Sequence, residues 1–383
     1  MRAAPVLSTL LALALAGCGG DDPAVSGTPV LSEPLAVVPF GSPLDGVYVQ
    51  PANDSLDVTE HAGRTYLAFR TSASWFADRD TELQVVSAEG QTRWARETSF
   101  STGDDLREPR FLSFGGRLFL FIGRFESAED GTPVPLGTIV SELDDGEWSD
   151  PVDVLPTGFV VSRAHVEDGV AYLTAWGDEG GVLAVHFLTS LDGHSWEPVR
   201  ADGPTVESGG GTDTDVLFRR DGSLFAVTTN ARGDNLGWGS HLCRAATAAA
   251  AWTCTGDPRR FDGALLFTQG ATEYLVARRN VTETGAYDLG RDDLEPEVQT
   301  QLYLDDYAQQ PKRCSLFRIG TGDVPELVAD LPSRGDTCAA ALLRQSDTRV
   351  AIYYHSSPLD GPDVSLRVGQ AGASEIDRVV IDF

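Results

Sequence analysis

The chain is poor in positive charge, and this deficit limits what it can bind. Its 383 residues contain 29 Lys and Arg against 57 Asp and Glu, which gives a formal net charge of -28 at pH 7. Proteins that bind nucleic acids need a basic face that displaces counterions from the phosphates. Anionic membrane surfaces likewise attract basic segments. We therefore expect neither a nucleic acid nor an anionic lipid surface as a partner.

The sequence also lacks the patterns that several enzyme classes require. No long segment carries apolar residues at the helical period of 3.6. There is no GxSxG, HExxH, P-loop or GxGxxG motif. No CxxC or Cys/His spacing of the zinc-binding type occurs. These absences argue against the nucleotide-binding folds, the serine hydrolases and the zinc enzymes that carry such motifs.

The sequence contains instead a repeat of ~50 residues, a length typical of propeller blades. Its clearest copy, residues 162–200, reads as four short strands separated by turns rich in Gly and Asp. A Gly followed by an apolar strand recurs every 53 residues (116 − 63, 169 − 116 and 222 − 169), at Gly63, Gly116, Gly169 and Gly222. A fifth copy starts slightly early at Gly270, and a sixth, which has Thr348 in place of the Gly, starts late. Six copies predict an all-β fold, a six-bladed β-propeller of four-stranded antiparallel blades.

The repeat also predicts the limits of the blades within one domain, residues 35–383. The six blades are expected at 57–100, 107–155, 162–202, 212–260, 261–333 and 335–383. We assign four strands to the sixth blade, which leaves open whether residues 34–50 close the ring. Residues 281–312 read as an insertion in the fifth blade, and its acidic part, 288–306, as a solvated loop.

The first 18 residues predict export and lipid anchoring. Arg2 precedes a Leu- and Ala-rich stretch that ends in Leu15-Ala16-Gly17-Cys18, which matches the bacterial lipoprotein box. We expect cleavage before Cys18 and lipidation of its thiol and amine; the alternative is a plain secretory peptide. Residues 19–34, rich in Gly, Asp, Ser and Pro, read as a flexible tether. The prediction is a monomer held on a bacterial membrane through its lipid alone, at the cell surface or a periplasmic face.

Export would permit disulfides among the other four cysteines. Cys243 and Cys254 flank an outer hairpin of the fourth blade, whereas Cys314 and Cys338 lie on neighbouring strands of the fifth and sixth. This proximity favours the bonds Cys243–Cys254 and Cys314–Cys338. The alternative is four buried free thiols.

A turn within the third blade resembles a known motif. Residues 190–196, Ser-Leu-Asp-Gly-His-Ser-Trp, are similar to the Asp-box (BNR repeat) of sialidases and related propellers, with weaker echoes at 87–94 and 143–148. Such boxes stabilise turns and perform no chemistry. Other segments similar to sialidase-like propellers cover most of the chain: 68–70, 105–109, 221–222, 331–337 and 353–357. The resemblance implies a sialidase-like propeller.

Any binding site is expected where the blades converge. In an antiparallel blade, the start of the first strand and the end of the second strand lie on the same rim. Polar and aromatic residues, most of them charged, occur there in every blade: Arg107, Glu108, Arg110, Arg163, Asp213, Asp215, Asp262, Asp336, Arg70, Arg124, Trp176, Asn230, Arg278 or Arg279, Tyr354 and His355. Several arginines around a well would bind a carboxylate, and neighbouring carboxylates would act as proton donor or base.

The sialidase resemblance implies roles for particular residues of this rim. Sialidases bind the sugar carboxylate with three Arg and use a Tyr nucleophile, a Glu that activates it and an Asp acid. Matched by blade and rim, the resemblance implies Arg70, Arg107, Arg163 and Arg279 as substrate-binding residues. The position of Asp336, His355 and Trp176 on the rim adds these three to the predicted substrate-binding residues. The resemblance further implies Tyr354 as nucleophile, Asp215 or Glu108 as its base, and Asp78 or Asp80 as acid. The Phe/Tyr-Arg-Ile-Pro element of true sialidases is missing, which weakens the case for a sialidase proper.

Two hypotheses of function follow. In the first, the protein recognises a glycan or small anionic ligand in an Arg-rich well and can hydrolyse it. In the second, it is a non-catalytic surface propeller that binds a ligand or a protein. The rim charges would then be ion pairs between blades, and Tyr354 a core aromatic. We expect no metal or cofactor; the alternative is Ca²⁺ on the oxygen ligands of residues 213–215 or 288–306.

Overall fold

The computed structural model describes residues 28–77, 79, 81–128 and 132–383. Over these residues the chain forms six antiparallel sheets. The first strand of each sheet contacts the first strand of the next, and that of the sixth contacts that of the first, so the sheets close into a ring. The prediction of an all-β, six-bladed propeller is confirmed.

The first three blades run from an innermost strand outward. Two short strands precede them, β1 (Val30–Leu31) and β2 (Leu35–Val38). Blade one comprises β3 (Ala52–His61), β4 (Arg64–Ser72), β5 (Glu82–Glu89) and β6 (Arg93–Phe100). Blade two comprises β7 (Asp105–Phe114), β8 (Arg117–Ser127), β9 (Pro133–Asp144) and, both paired with β9, β10 (Glu147–Trp148) and β11 (Val152–Asp153). Blade three comprises β12 (Val160–Glu167), β13 (Val170–Glu179), β14 (Val182–Ser190) and, both paired with β14, β15 (Glu197–Pro198) and β16 (Thr205–Gly209).

The other three blades follow the same plan with two additions. Blade four comprises β17 (Gly211–Phe218), β18 (Leu224–Asp234), β19 (Gly237–Ala245) and β20 (Thr253–Asp257). Blade five comprises β21 (Asp262–Gln269), β22 (Thr272–Asn280), β23 (Lys312–Ile319) and β24 (Pro325–Asp330), with helix α1 (Pro296–Gln309) between β22 and β23. Blade six comprises β25 (Thr337–Ser346), β26 (Arg349–Ser356) and β27 (Glu375–Asp382), with helix α2 (Leu366–Gln370) before β27.

Each interface between neighbouring blades holds its own cluster of buried apolar side chains. Phe119 and Leu173 belong to the cluster between blades two and three, and Leu316 and Ile352 to the one between blades five and six. These residues lie on apolar strands whose alternate side chains face opposite neighbours. The core is therefore a ring of six interfaces, and each blade depends on two others for burial.

The turn at residues 190–196 is held by its own polar groups. The Asp192 carboxylate accepts hydrogen bonds from the amides of His194 and Ser195, each at 2.8 Å. These bonds hold the pKa of Asp192 well below its ordinary value, at about 2. Gly193 adopts a φ of 80°, which favours glycine. Trp196 then packs on Phe121 of blade two, with ring centroids 5.8 Å apart, so the turn also seals a blade interface.

The ring is closed by the N-terminal strands, which corrects the assignment of four strands to blade six. That blade has three strands of its own, and β1 and β2 pair with β27 as its outer edge. Leu35 lies opposite Arg378, and Val37 and Val38 are buried. The sheet therefore joins both ends of the described chain. The structure describes residues 28–34 of the predicted tether, and β1 lies within them. The folded domain therefore starts before residue 35.

The insertion in blade five is not the acidic loop that we predicted. Residues 296–309 form α1, which starts with a Pro in its first turn. Gln299, Tyr303 and Tyr307 are its buried residues and recur every four positions, which is one face of a helix. The positions between them are mostly polar, so the helical period was too weak to detect in the sequence. Tyr303 and Tyr307 pack with Trp238 and Tyr287, which fixes the helix beside the rim.

Both predicted disulfides are present. Cys243–Cys254 joins the opposed strands β19 and β20, and Cys314–Cys338 joins blade five to blade six. The second bond therefore links blades five and six covalently, in addition to their packing and to hydrogen bonds such as the one from Arg278 to the Thr337 carbonyl.

Residues 1–27, which contain the predicted signal and the lipidation site Cys18, lie outside the described residues. Within the described part of the chain, no helix has the length and the apolar character needed to cross a membrane.

Candidate functional site

A cavity of about 240 Å³ opens on the axis of the propeller, at the rim predicted from the strand order. All six blades contribute to it, counting the loops next to their strands. Its lining consists of Trp75, Arg107, Glu108, Phe125, Pro133, Trp176, Asp213, Arg260, Asp262, Gly263, Arg278 and Ala339. Three guanidinium groups, three carboxyl groups and two indoles thus share one small space.

A bulge near the start of the first strand of every blade shapes this cavity. The register of each first strand shifts between these pairs of residues: Asp54/Asp57, Arg107/Arg110, Val161/Arg163, Gly211/Thr214, Asp262/Leu265 and Cys338/Ala341. A bulge inserts an unpaired residue and turns its side chain to a new direction. Glu108, Asp213, Gly263 and Ala339, which lie within four of these bulges, all line the cavity.

Arg107 is fixed at the wall by its neighbours. Its Nε donates to the Asp105 carboxylate, and its Nη2 donates to the Trp75 carbonyl at 2.6 Å. The guanidinium carbon also lies 4.3 Å from the centre of the Trp75 ring, a stacking contact that favours a cation. Trp75 and Arg107 therefore present a preorganised aromatic and cationic pair to the cavity.

Arg278 and Arg260 hold the opposite wall through a shared carboxylate. Arg278 donates to the Thr337 carbonyl at 2.7 Å and to Asp336 at 3.2 Å. Arg260 donates through Nε to Asp262 at 2.6 Å, and Arg278 reaches the other oxygen of Asp262 at 3.5 Å. Nη1 of Arg260 is buried and has no hydrogen-bond partner among the described residues. This wall therefore holds a buried N–H donor that the described residues leave unpaired.

Asp213 is a carboxyl group of the cavity whose proton affinity is strongly raised. Burial, followed by the negative charges of Glu108 and Asp262, raises its pKa to about 7, although Arg110 and Arg163 act in the opposite direction. Asp262 behaves differently: burial favours its neutral form, but Arg260 and Arg278 outweigh that effect and lower its pKa. Two carboxyl groups of one cavity therefore differ in protonation near neutral pH.

Arg107, Glu108 and Trp176 are the predicted site residues that line the cavity. Glu108 adopts a φ of 52°, an unusual value for a residue with a side chain, and pairs with Arg110. Strain of this kind is often found at binding and catalytic sites.

The other predicted arginines do not reach the cavity. Arg70 is fully buried, and its donors are taken up by Asp105 at 2.8 Å, Asp54 at 3.1 Å and nearby oxygens of its own blade. Arg163 reaches across the axis to the carbonyls of Gly263 and Ala264, at 3.1 and 3.0 Å. Both hold the blades together, so their predicted role in binding substrate does not fit their positions.

Arg279 faces away from the axis. It forms a forked ion pair with Asp330 of the outermost strand, at 2.8 and 2.6 Å. The neighbouring Arg278 lines the cavity instead, because successive residues of a strand point to opposite faces. Of this pair, the sequence analysis named Arg279 as a substrate-binding residue, whereas Arg278 is the one that lines the cavity.

The catalytic roles implied by the sialidase resemblance find no support in the positions of Tyr354 and Asp215. Tyr354 is buried between blades five and six, and its hydroxyl donates to the Pro332 carbonyl at 2.7 Å. Burial, followed by the charge of Asp377, raises its pKa far above the ordinary range, which is the reverse of an activated nucleophile. Asp215 is buried against His165 at 2.7 Å and the Leu266 amide at 2.6 Å, so it serves to join blades.

Two further predicted residues lie behind the wall of the cavity. Asp336 is buried, and its Oδ1 atom lies 3.2 Å from Arg278 and 3.5 Å from His355. They orient Arg278 and do not line the cavity themselves. Asp78 and Asp80 lie outside the described residues.

Sequence reasoning missed Arg260 and Trp75 altogether. Arg260 lies just before β21, and Trp75 lies in the loop after β4. Neither was selected, because the prediction considered only the residues at the ends of strands. Asp213 and Asp262 were on the predicted rim but were not selected, because the bulges that turn residues of this region inward have no clear sequence signal.

The comparisons with known proteins agree on the fold and not on a family. No protein-family model and no curated protein matches the sequence. Among solved structures, a protein of unknown function from Dyadobacter fermentans is similar with a TM-score of 0.60 and 14% identity, over 93% of this chain and 99% of that one. The Trypanosoma rangeli sialidase in complex with sialic acid is similar with a TM-score of 0.54 and 12% identity, over 86% of this chain. This chain covers 54% of that sialidase. The fold is therefore sialidase-like.

Proposed function

We propose that the protein is an extracytoplasmic, lipid-anchored propeller that binds a glycan with a terminal acidic sugar in its axial cavity. The observation that carries this proposal is the convergence of Arg107, Arg260 and Arg278 on one cavity with the indoles of Trp75 and Trp176. Guanidinium groups bind carboxylates in forked geometry. Indoles offer a flat apolar face with a polar edge, which suits a sugar ring.

The size of the cavity favours one sugar unit over an extended chain. A volume of about 240 Å³ corresponds to roughly eight waters at ~30 Å³ each. The carboxylates of Glu108 and Asp262 would accept hydrogen bonds from sugar hydroxyls. A single terminal residue of a glycan fits these dimensions and this chemistry.

The protonation of Asp213 decides the charge that a ligand meets. With Asp213 protonated, the lining carries three guanidinium groups against two carboxylates. With Asp213 ionised, the charges balance. The cavity therefore attracts an anion most strongly at and below neutral pH.

Hydrolysis is the second candidate function, and the pKa of Asp213 favours it. A carboxyl group with a pKa of about 7 can donate a proton near neutral pH, while the nearby Glu108 acts as the charged partner. Most glycosidases use two carboxyl groups in this way. The alternative is that the protein binds a ligand in the same cavity and does not cleave it. The ion pairs of all three guanidinium groups of the cavity favour this alternative, because they give these groups a structural role.

Two further parts of the proposal concern the rest of the chain. The lipoprotein box at residues 15–18 supports attachment through Cys18. The contacts of Asp192 and Trp196 support an Asp-box of the sialidase type at residues 190–196.

The experiment is a binding and hydrolysis measurement with matched variants. Isothermal titration with sialic acid and with neutral galactose is expected to show binding of the acidic sugar alone. Arg278→Gln should weaken that binding at least tenfold, because it removes a donor from the cavity. Arg279→Gln should leave it unchanged, because Arg279 pairs with Asp330 outside the cavity.

Chromogenic glycosides test cleavage with the same set. Hydrolysis that is lost in Asp213→Asn, while sugar binding remains, would establish the catalytic role. Equal binding of neutral and acidic sugars, or equal effects of the two arginine variants, would refute the proposed recognition.

A further inference from the structure

The segment inserted in blade five lies behind one wall of the axial cavity. This inserted segment, residues 281–311, connects β22 to β23 and contains α1. Its residues Tyr287 and Tyr307 are 1% and 3% exposed, and neither of them lines the cavity. Both contact Arg260, and Tyr307 also contacts Asp262. Since Arg260 and Asp262 do line the cavity, the inserted segment is connected to the proposed binding site.

The inserted segment holds the backbone that leads to Arg260. The Pro258 carbonyl accepts a hydrogen bond from the Tyr287 amide at 2.7 Å. Arg259 pairs with Ala286 in an isolated antiparallel β-bridge. The two residues before Arg260 are therefore tied to the insertion through main-chain groups, which do not depend on the identity of the side chains.

The side chain of Arg260 contacts two aromatic rings of the inserted segment. Its guanidinium carbon lies 5.1 Å from the centre of the Tyr287 ring and 4.7 Å from the centre of the Tyr307 ring. The two rings are 5.5 Å apart and nearly perpendicular, at 79°. A guanidinium group is attracted to the faces of aromatic rings, and more strongly where water is excluded. These two rings therefore restrict the orientation of Arg260.

Tyr307 also occupies one oxygen of Asp262. Its hydroxyl donates to Asp262 Oδ2 at 2.9 Å, while Arg260 Nε donates to Oδ1 at 2.6 Å. Arg278 Nη1 lies 3.5 Å from the same Oδ2 atom, which is longer than an ordinary hydrogen bond. A carboxylate whose two oxygens are both available accepts a forked pair from one guanidinium group. The Tyr307 hydroxyl competes with such a pair and so keeps Asp262 from drawing an arginine away from the cavity.

Lys312 fixes Tyr307 in turn. Its side chain is fully buried, and Nζ lies 3.9 Å from the centre of the Tyr307 ring. Nζ donates to the carbonyl of Tyr307, to the Gln310 carbonyl at 2.8 Å and to Asn280 Oδ1 at 3.1 Å. An ammonium group has three hydrogens to donate, and all three are used here. Lys312 therefore holds the end of α1 that carries Tyr307.

We propose that Tyr307 is a positioning residue of the axial cavity, and that through it the inserted segment sets the preference of this cavity for an acidic ligand. The inference rests on the proposed function, because it concerns the same cavity. Tyr307 acts through Arg260 and Asp262 and does not touch the ligand. Without its hydroxyl, Asp262 would form a forked pair with Arg260 or Arg278, and the cavity would offer less positive charge to an anion.

A pair of tyrosine variants tests this role by isothermal titration with sialic acid. Tyr307→Phe removes the hydroxyl and keeps the ring, and it should weaken binding roughly fivefold, because a hydrogen bond to a charged group is lost. Tyr303→Phe is the matched control on the same helix. The Tyr303 hydroxyl contacts only groups of the inserted segment, which are Gln299, the Arg291 amide and Asp288. This control should bind sialic acid like the wild type.

A measurement without ligand separates this inference from the proposed function. The pKa of Asp262 can be read from the NMR signal of its labelled carboxyl carbon, assigned with Asp262→Asn. A hydrogen bond to the ionised form lowers the pKa of a carboxyl group, so Tyr307→Phe should raise the pKa of Asp262. Tyr303→Phe should leave it unchanged. The charged groups that act on Asp262 are the same in both variants: Arg260, Arg278, Lys312 and Asp213.

Melting curves show which variants fold. If Tyr307→Phe does not fold, Tyr287→Leu removes the other ring from Arg260 and should likewise weaken the binding of sialic acid. The inference is overturned if folded Tyr307→Phe has the Asp262 pKa of the wild type, if Tyr303→Phe weakens binding equally, or if folded Tyr287→Leu binds like the wild type. If the wild type binds neither sialic acid nor galactose, the proposed function fails, and the pKa of Asp262 still decides whether Tyr307 positions this wall.

Discussion

At the scale of single residues, orientation decides function in this propeller. Arg278 and Arg279 are adjacent, yet one lines the axial cavity and the other pairs with Asp330 at the outer edge of its blade. The sequence places both at the end of a strand and cannot choose between them, because a shift of one residue exchanges the two faces of a strand. Identifying the charged residues of the rim was therefore easier than identifying those that face a ligand.

The raised pKa of Asp213 gives a pH dependence whose sign can be stated. Its pKa is about 7 in the folded protein, against an ordinary value of 3.8. Between these values the unfolded chain binds fewer protons than the folded one, so the contribution of this group to the free energy of unfolding falls as the pH rises. In the wild type, this group lowers the free energy of unfolding as the pH rises from about 4 to about 7. We predict that Asp213→Asn removes this contribution, so that the free energy of unfolding falls less over the same range. Denaturant unfolding at pH 4.5 and pH 8 measures it.

The control is Asp145→Asn, which changes an exposed carboxylate on a turn. Its stability should follow the wild type at both pH values. An Asp213→Asn protein with the same decline as the wild type would show that Asp213 has an ordinary pKa in the folded state.

At the scale of elements, two features of the blades cannot be predicted from the repeat: the bulges of the first strands and the outer edge of blade six. The bulge at the start of each first strand brings Glu108 and Asp213 to the cavity. The outer edge of blade six comes from β1 and β2 at the other end of the described chain. Both the bulges and this edge depend on contacts between residues distant in sequence, which local sequence patterns do not reveal.

The closure by β1 and β2 predicts a large effect of a short deletion. A variant that starts at residue 40 would expose the edge of β27 and lose the burial of Val37 and Val38, which are 6% and 0% exposed. Two buried valines correspond to about 3 kcal/mol or more of stability. We expect a lower midpoint in denaturant and self-association through the open edge, measured by unfolding curves and light scattering.

The matched control for that deletion is a variant that starts at residue 29 and retains both strands. It should unfold like the full chain and remain monomeric. If the two truncations behave alike, the pairing of β2 with β27 contributes little to closure.

At the scale of the whole molecule, the ring unites residues that are far apart in the chain. Arg107, Arg260 and Arg278 come from blades two and five and their flanks, and they meet because all first strands surround one axis. The whole chain has a net charge of -28, whereas the lining of the cavity carries three guanidinium groups against two carboxylates when Asp213 is protonated. That contrast favours a small acidic ligand over a polyanion, since the outer surface repels an extended one.

The proposed anchor makes a prediction about the location of the molecule. Only eleven residues, 19–29, separate Cys18 from β1, and such a segment spans at most about 40 Å when fully extended. We expect wild-type protein expressed in a bacterium to be extracted from membranes only by detergent. Cys18→Ser should be released in soluble form, as measured by fractionation and immunoblotting. Equal membrane retention of the two proteins would contradict lipidation at Cys18.

The sequence by itself determined the repeat, the six blades and the pairs of cysteines, because the alternation of apolar residues and the glycines of the hairpins are local properties. It also named Arg107, Glu108 and Trp176, which line the axial cavity. Only the tertiary structure decided which charges enter the cavity, since the bulges, the helix α1 and the pairing of the two chain ends arise from contacts over long separations. Side chains such as Arg70 and Tyr354 were assigned to the site in the sequence but are buried between blades, where packing and ion pairing give them structural roles.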